Sequence, residues 1–202
     1  MKKPKLILHI GHGKTGTTSL QHYLYKNSED ILRLGYFYPV KNSSRDNHVL
    51  LPAGFVFENT PVARKQVYRD DYNRYKKDFQ RFWASLLLDI EKHSPHTVIL
   101  SAEQMFRDFS GISRISLANF LGQYFSDVTV VAYVRSPAPD FFSRLAQRAK
   151  TGTRSPVIAP RKVRRVVEYY EGQFPGRVKL HPFDRQQLLA GDILHDFLSR
   201  YV

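Results

Sequence analysis

A short apolar run near the N-terminus leads directly into a glycine-rich turn and a helical pattern, and this succession constrains the fold more than any other feature. Residues Lys5 to Ile10 (KLILHI) have the length and apolarity of a buried strand. Glycines follow at positions 11, 13 and 16, and from Ser19 to Lys26 apolar side chains recur at helical spacing. A strand that turns through glycines into a helix is the first unit of a parallel α/β fold.

The rest of the chain alternates strand-like and helical segments. Apolar strands are predicted at 97–100, 128–134 and 177–180, and further helices at 71–93, 114–125, 137–150, 161–170 and 193–201. This alternation predicts an α/β fold with three layers, α/β/α, around a central parallel sheet. We expect one domain over residues 1–202, with a loop and helical excursion at about 35–95, in which 35–62 is mainly loop.

Composition limits the classes of partner and site. The chain has 31 Lys and Arg against 18 Asp and Glu, a net charge of +13, which favours a polyanionic partner: nucleic acid, acidic lipid, nucleotide or acidic polysaccharide. It has no cysteine, which excludes disulfides, thiolate catalysis and Cys-based zinc sites. No apolar run approaches the ~20 residues of a membrane span, and the basic N-terminus lacks a signal-peptide core, so we expect a cytoplasmic protein.

The glycine-rich turn has the composition of a phosphate-binding loop. It consists of Gly13, Lys14, Thr15, Gly16, Thr17 and Thr18. In such a turn the backbone N–H groups and the positive end of the helix dipole converge on one anion. Lys14 adds a mobile cation, and the two following threonines add hydroxyl donors. The Walker A pattern would require glycine at position 8, where this chain has Leu8, so the turn is not a Walker A loop.

The turn resembles the phosphosulfate-binding loop of the sulfotransferases that use 3′-phosphoadenosine 5′-phosphosulfate (PAPS), which has the general form P-K-[ST]-G-T-T. The departure is Gly13 in place of proline. The family's 3′-phosphate motif is an arginine at the end of a central strand and a serine eight positions later. Here Arg135 follows the predicted strand 128–134, and Ser143 stands eight positions on. The chain therefore resembles the bacterial-type members of this family, with their P-loop-like fold.

The spacing of Arg135 and Ser143 makes physical sense in a parallel sheet. Arg135 leaves the carboxyl end of a strand, where ligands bind in open α/β sheets. Ser143 falls about two helical turns along the next helix, on the same side. An arginine fork and a hydroxyl can then hold one phosphate.

The resemblance implies transfer of a sulfuryl group from PAPS to a hydroxyl or amine, with release of adenosine 3′,5′-bisphosphate. Such a transfer depends on in-line positioning and charge stabilisation and requires no metal. Lys14 would neutralise the leaving phosphate oxygen, while Thr17 and Thr18 would hold the 5′-phosphate. The expected acceptor is a carbohydrate or small molecule, including an acidic one; no specific nucleic acid is expected.

A general base should remove the acceptor's proton, and two residues are candidates. Glu103 follows the second strand, at a carboxyl end where the cleft should lie. His48 stands in the long loop that should border the acceptor. The family can supply its base, as His or Glu, from either region. We expect Glu103 to be the base and His48 to assist at the acceptor site.

Other interpretations remain open at the level of sequence. A P-loop kinase or nucleotide-binding protein would need Mg²⁺ and a Walker B carboxylate, and a basic nucleic-acid-binding domain would use the +13 charge. His9, His12 and His22 lie near the loop, but no cysteine or carboxylate cluster completes a ligand set, so no metal site is predicted. The cations of helix 161–170 form either a solvated face or a contact surface for an acidic acceptor.

One element of the family pattern has no match. Many members carry an Arg or Gly-rich segment near the C-terminus that closes over the 3′-phosphate and adenine. In this chain we find no such segment, and residues 151–154 are the candidate substitute.

Overall fold

The computed structural model of the chain describes residues 2–40, 47–56, 72–151 and 162–202. Five strands form one all-parallel sheet in the order β2-β3-β1-β4-β5. They are β1 Lys5–His9, β2 Tyr36–Phe37, β3 Thr97–Ser101, β4 Asp127–Val134 and β5 Val178–Pro182. The predicted α/β fold with a central parallel sheet is confirmed. The strand β2 was not predicted, because two residues are too short to show a pattern.

Seven α-helices surround the sheet in the described ranges. They are α1 Thr17–Lys26, α2 Ser28–Arg33, α3 Tyr72–His93, α4 Leu117–Gly122, α5 Pro137–Thr151, α6 Val163–Gln173 and α7 Ile193–Tyr201. Short 3₁₀ turns occupy Leu51–Gly54, Glu103–Met105 and Leu189–Gly191. No helix in these ranges has the length and apolarity that crossing a bilayer requires. The predicted starts of two helices, at 71 and 161, and residues 152–154 lie outside the described residues.

Helix α4 is shorter than the predicted helix at 114–125. The hydroxyl of Ser116 caps its N-terminus by accepting the N–H of Asn119 at 3.0 Å. The residue two positions earlier, Arg114, donates its backbone N–H to the carbonyl of Phe55. The chain before the cap is therefore engaged with the neighbouring loop and does not belong to the helix.

The apolar side chains divide between the two faces of the sheet. In β1, Leu6 and Leu8 join a core with α3 and α4, whereas Ile7 joins a second core with α1 and α7. This alternation follows from the two-residue period of a strand. The aromatic stripe of α3 is buried in the first core, so it is packing rather than a ligand platform; its members include Tyr75, Phe79, Phe82 and Trp83.

A buried carboxylate joins the last helix to the sheet. Asp196 of α7 accepts hydrogen bonds from the Tyr133 hydroxyl in β4 at 2.7 Å and from the Leu189 N–H at 3.0 Å. Arg200, one turn along, binds the same carboxylate through two nitrogens. Burial by itself would raise the pKa of Asp196, but the hydrogen bonds from Arg200, Leu189 and Tyr133 outweigh it and hold the pKa at about 2.

We predict that Asp196→Asn destabilises the fold by about 2 kcal/mol at neutral pH. The folded-state pKa lies below the ordinary value of 3.8, so the ionised carboxylate stabilises the fold above pH 3.8. This contribution is lost as the pH falls through about 2. Chemical unfolding from pH 7 to pH 2 should therefore show the gap between wild type and variant closing on the acid side. Asp30→Asn, in an exposed ion pair with Arg33, is the control and should change little. A gap that stays constant down to pH 2 would contradict the assignment.

Candidate functional site

The glycine-rich loop between β1 and α1 forms one wall of a cleft at the carboxyl edge of the sheet. Lys14 and Gly16 have φ angles of 71° and 72°, in the left-handed region. At Gly16 an added Cβ would lie 3.0 Å from Ile193 and 3.3 Å from Phe183, so α7 and the segment after β5 pack directly on the loop. The loop ends at α1, whose first turn has no acidic residue and no side-chain cap. The positive end of α1 is therefore suited to an anion.

A cleft of about 600 Å³ opens beside this loop. Most of the residues predicted for the donor site line it: Gly13, Lys14, Gly16, Thr17, Thr18, Arg135 and Ser143. Thr15 does not, because its side chain is buried and its hydroxyl donates to the carbonyl of His12. Segments more than 100 residues apart in the sequence thus meet in one cavity.

Glu103 lines the same cleft. It opens the 3₁₀ turn that follows β3, and its carboxylate accepts a hydrogen bond from the Thr17 hydroxyl. The two side chains meet over Gly11, where an added Cβ would lie 2.2 Å from Thr17 and 3.3 Å from Glu103. Glycine at position 11 is therefore required for the carboxylate to reach Thr17 at the end of the glycine-rich loop.

Arg135 enters the cleft from the end of β4. Its guanidinium carbon lies 4.9 Å from the centre of the Phe183 ring, in a cation–π arrangement. Its Nε is buried and has no hydrogen-bond partner among the described residues. Arg135 is one of the cationic residues that line the cleft.

Helix α5 adds further cations to the cleft. Arg144 and Arg148 line it together with Ser143, from one side of the helix. The Nε of Arg144 lies 2.9 Å from the carboxylate of Asp140, the buried residue one turn earlier, which fixes the arginine in place. Among the described residues that line the cleft, four are cations, Lys14 and three arginines, and Glu103 is a carboxylate, while Asp140 offsets the charge of Arg144. This balance suits a ligand with several negative charges.

Sequence reasoning missed three of the lining residues. Arg144 and Arg148 are one turn apart on the helix that carries Ser143, and their helical spacing could have indicated them. Phe183 directly follows β5, whose carboxyl end reaches the same sheet edge. Its contact with Arg135 depends on packing, which no local pattern shows.

His48 is not among the residues that line the cleft, and its role at the acceptor site stays a prediction. Its side chain is buried. The ring Nδ1 accepts the N–H of Ser101 at 2.9 Å, so Nε2 carries the hydrogen and donates to the carbonyl of Pro39 at 3.0 Å. The backbone N–H of His48 also donates to the carbonyl of Ser101. His48 thus provides hydrogen-bond partners for Ser101 of β3, beyond the point where the short strand β2 ends.

Burial keeps the histidines next to the end of β3 neutral. Burial lowers the pKa of His48 to about 4, although its hydrogen bonds to Pro39 and Ser101 act in the other direction. Burial likewise lowers the pKa of His9 to about 4, and its Nδ1 lies 2.7 Å from the Ser101 hydroxyl. Gln21 of α1 donates to the same hydroxyl at 2.9 Å. These contacts tie β1, α1 and β3 together directly below the cleft.

Two further features of the sequence concern the histidines near the loop and the cations of the predicted helix 161–170. Among the described residues no group of three or more His, Asp or Glu side chains is placed to hold a metal ion. On α6, Arg164 pairs with Glu168 at 2.7 Å and Arg165 pairs with Asp108 at 2.8 Å. The charge of this helix is therefore partly neutralised within the chain, which favours a solvated face over a contact surface for an acidic acceptor.

Comparison with known proteins gives weak likenesses only. No protein-family model matches the sequence, and no curated protein is significantly similar to it. A "putative kinase" from Chloroflexus aurantiacus J-10-fl is similar over 100% of both chains, with 14% identity and a TM-score of 0.46. The sulfotransferase domain from the curacin biosynthetic pathway is similar over 91% of this chain and 68% of its own, with 13% identity and a TM-score of 0.43. Likenesses at this level do not assign a function, which must come from the cleft.

We predict that His48→Ala destabilises the fold by about 3 kcal/mol, because it leaves a cavity and an unpaired N–H at Ser101. Thermal and chemical unfolding would measure the loss. The control is His195→Ala, since the side chain of His195 is 71% exposed. Unchanged stability together with a weakened acceptor interaction would instead restore the role predicted from the sequence.

Proposed function

We propose that the chain is a sulfotransferase that moves the sulfuryl group of PAPS to a hydroxyl or amine of an acceptor. The observation that carries the proposal is that Lys14, Thr17 and Thr18 line one cleft with Arg135 and Ser143. The loop suits a phosphosulfate, and the arginine–serine pair suits a second phosphate. A nucleotide with anionic groups on both its 5′ and 3′ sides would engage both.

In this proposal the 5′-phosphosulfate lies on the loop. The uncapped start of α1 and the hydroxyls of Thr17 and Thr18 would hold the 5′-phosphate. Lys14 would stabilise the charge that develops on the bridging oxygen as its bond to sulfur breaks. Such preorganised charge is the main contribution that a protein makes to a group transfer of this kind.

The 3′-phosphate lies between Arg135 and Ser143. The guanidinium of Arg135 and the hydroxyl of Ser143, which both line the cleft, would donate hydrogen bonds to its oxygens. The contact with Phe183 holds the guanidinium in the cleft before the ligand arrives, so less conformational entropy is lost on binding. Arg144, held by Asp140, adds positive charge next to Ser143.

Glu103 is the proposed general base. With no donor bound, its carboxylate accepts a hydrogen bond from Thr17. If the hydroxyl of Thr17 turns to the 5′-phosphate, the carboxylate loses that donor and can accept the proton of an incoming acceptor instead. Binding of the donor nucleotide would in this way prepare the base for the acceptor. The acceptor itself is proposed to be a carbohydrate or small molecule, and the excess of cations in the cleft supports one with an acidic group.

The Thr17–Glu103 pair also favours a second candidate function. A hydroxyl at the start of the loop helix and a nearby carboxylate are ligand types that Mg²⁺ prefers in kinases of P-loop type. A phosphoryl transferase would hold the metal between these two side chains. The two candidates differ in their need for Mg²⁺ and for a 3′-phosphate on the nucleotide.

We predict that adenosine 3′,5′-bisphosphate binds with EDTA present, because its two phosphates match the two cationic parts of the cleft without a metal. Isothermal titration calorimetry in EDTA and in Mg²⁺ would measure the affinity, with ATP as the comparison ligand. Absence of binding at millimolar ligand would contradict the proposal. ATP binding that needs Mg²⁺ and exceeds that of the bisphosphate would favour the kinase.

A variant at Arg135 distinguishes the position of the 3′-phosphate from that of the 5′-phosphate. Arg135→Ala should weaken adenosine 3′,5′-bisphosphate by ~10-fold to ~100-fold, the loss of a charged hydrogen bond. It should spare adenosine 5′-phosphosulfate, which has no 3′-phosphate. Arg177→Ala is the control, because Arg177 lies at the opposite edge of the sheet in a half-exposed pair with Asp127. Equal losses for both nucleotides would mean that Arg135 does not contact the 3′-phosphate.

We predict that Glu103→Gln lowers the rate of the chemical step by ~10²- to ~10⁴-fold, because the amide cannot accept the acceptor's proton. Affinity for adenosine 3′,5′-bisphosphate should change little, since the amide oxygen can still accept from Thr17. The measurement is the initial rate of bisphosphate release from PAPS with a panel of carbohydrates and small hydroxyl compounds. A variant with nearly normal turnover would remove Glu103 from the mechanism.

A further inference from the structure

Helix α5 has a second face that the cleft does not use. Ser143, Arg144 and Arg148 line the cleft from one side. On the other side, Phe141, Phe142 and Leu145 are 42%, 64% and 47% exposed. Among the α5 side chains that the structure describes, only that of Asp140 is buried. The helix therefore packs lightly on the rest of the protein.

The exposed apolar residues form one continuous stripe. With 3.6 residues per turn, five of them fall within an arc of about 100° on the helix. They are Ala138, Phe141, Phe142, Leu145 and Ala149, and all are exposed. The rings of Phe141 and Phe142 lie 5.7 Å apart, edge to face. No charged residue interrupts the stripe, which will be called the α5 apolar face.

An apolar face of this kind indicates a contact surface. Single exposed apolar residues, such as Leu34 and Leu88, are normal on a protein. Several of them side by side on one helix are not, and they mark interaction sites. A helix with so little buried surface also gains little stability from the core, so a partner on this face would stabilise it.

Charge distinguishes among the possible partners. Cations accompany the α5 apolar face: Arg144 and Arg148 on the cleft side, and Lys150 exposed in the last turn. The whole chain carries a net charge of +13. A second copy of the chain would bring like charges together, and three large side chains cover far less than the ~800 Å² that each partner of a stable interface buries. An anionic bilayer offers both hydrocarbon for the apolar face and negative headgroups for the cations.

We propose that α5 docks the protein on an anionic lipid surface, with Phe141, Phe142 and Leu145 inserted at the boundary between headgroups and acyl chains. Helices with an aromatic and aliphatic face beside Lys and Arg lie in this plane of a bilayer. Because the opposite side of α5 lines the cleft, docking would hold the cleft at the level of the headgroups. The proposal does not depend on the chemistry of the donor.

The test uses the full chain and vesicles of phosphatidylcholine with and without phosphatidylglycerol. Co-sedimentation should show binding to the anionic vesicles. The double variant Phe142→Ser/Leu145→Ser should bind at least ~10-fold more weakly, from the loss of two inserted apolar side chains. The control is Leu88→Ser on α3, since Leu88 is 66% exposed. It should bind like the wild type, and Lys150→Ala should weaken binding more at low salt than at high salt.

A fluorescence measurement reports insertion directly, so that a loss of binding caused by misfolding is not mistaken for a loss of insertion. Trp83 is the single tryptophan of the chain and is buried, so it gives a constant background. In Phe142→Trp the emission should shift to the blue with anionic vesicles and be quenched by brominated acyl chains, whereas Leu88→Trp should show neither effect.

Three results would overturn the proposal. One is equal vesicle binding by the wild type and the Phe142→Ser/Leu145→Ser variant, which would mean that charge alone attracts the protein. Another is an equal loss in Leu88→Ser. The third is a dimer, seen by light scattering, that the double variant abolishes, which would make the α5 apolar face an interface between two copies.

Discussion

The parallel pairing of β1 with β3 on one side and β4 on the other sets the position of the groups in the cleft. The register aligns His9 with Ser101 and with Val131, so the three strands run side by side towards one edge. Parallel strands bring their carboxyl ends to the same edge, where ligands bind in open α/β sheets. The glycine-rich loop, Glu103 and Arg135 follow these strands, and each arrives at the cleft because of that pairing.

The layer directly below the cleft is polar, neutral and hydrogen-bonded. The Ser101 hydroxyl hydrogen-bonds with His9 and accepts from Gln21, and the Ser101 backbone N–H donates to His48. Burial keeps both histidines uncharged at neutral pH. They position the end of β3, and therefore Glu103, without adding charge of their own to a site suited to an anion.

Some residues of the cleft stand on the central sheet, and others stand on a helix that is lightly packed. The loop, Glu103 and Arg135 stand on strands of the central sheet, whereas Ser143, Arg144 and Arg148 stand on a helix with little buried surface. Elements that move on ligand binding are drawn from the weakly packed parts of a protein. Helix α5 is thus the element through which an anion in the cleft and a surface on the opposite side could influence each other.

The sequence by itself determined the fold class, the glycine-rich loop between the first strand and helix, and the presence of Glu103 and Arg135 at one sheet edge. These follow from local patterns, because strand and helix periods and the rule for parallel sheets need no knowledge of packing. Only the tertiary structure decided that His48 is buried and hydrogen-bonded to Ser101 and Pro39, since a loop histidine has no local pattern that shows its partners. The same holds for Phe183, whose contact with Arg135 depends on how two neighbouring strands end. The strand β2 is two residues long, and it exists as a strand because β3 supplies its hydrogen-bond partners.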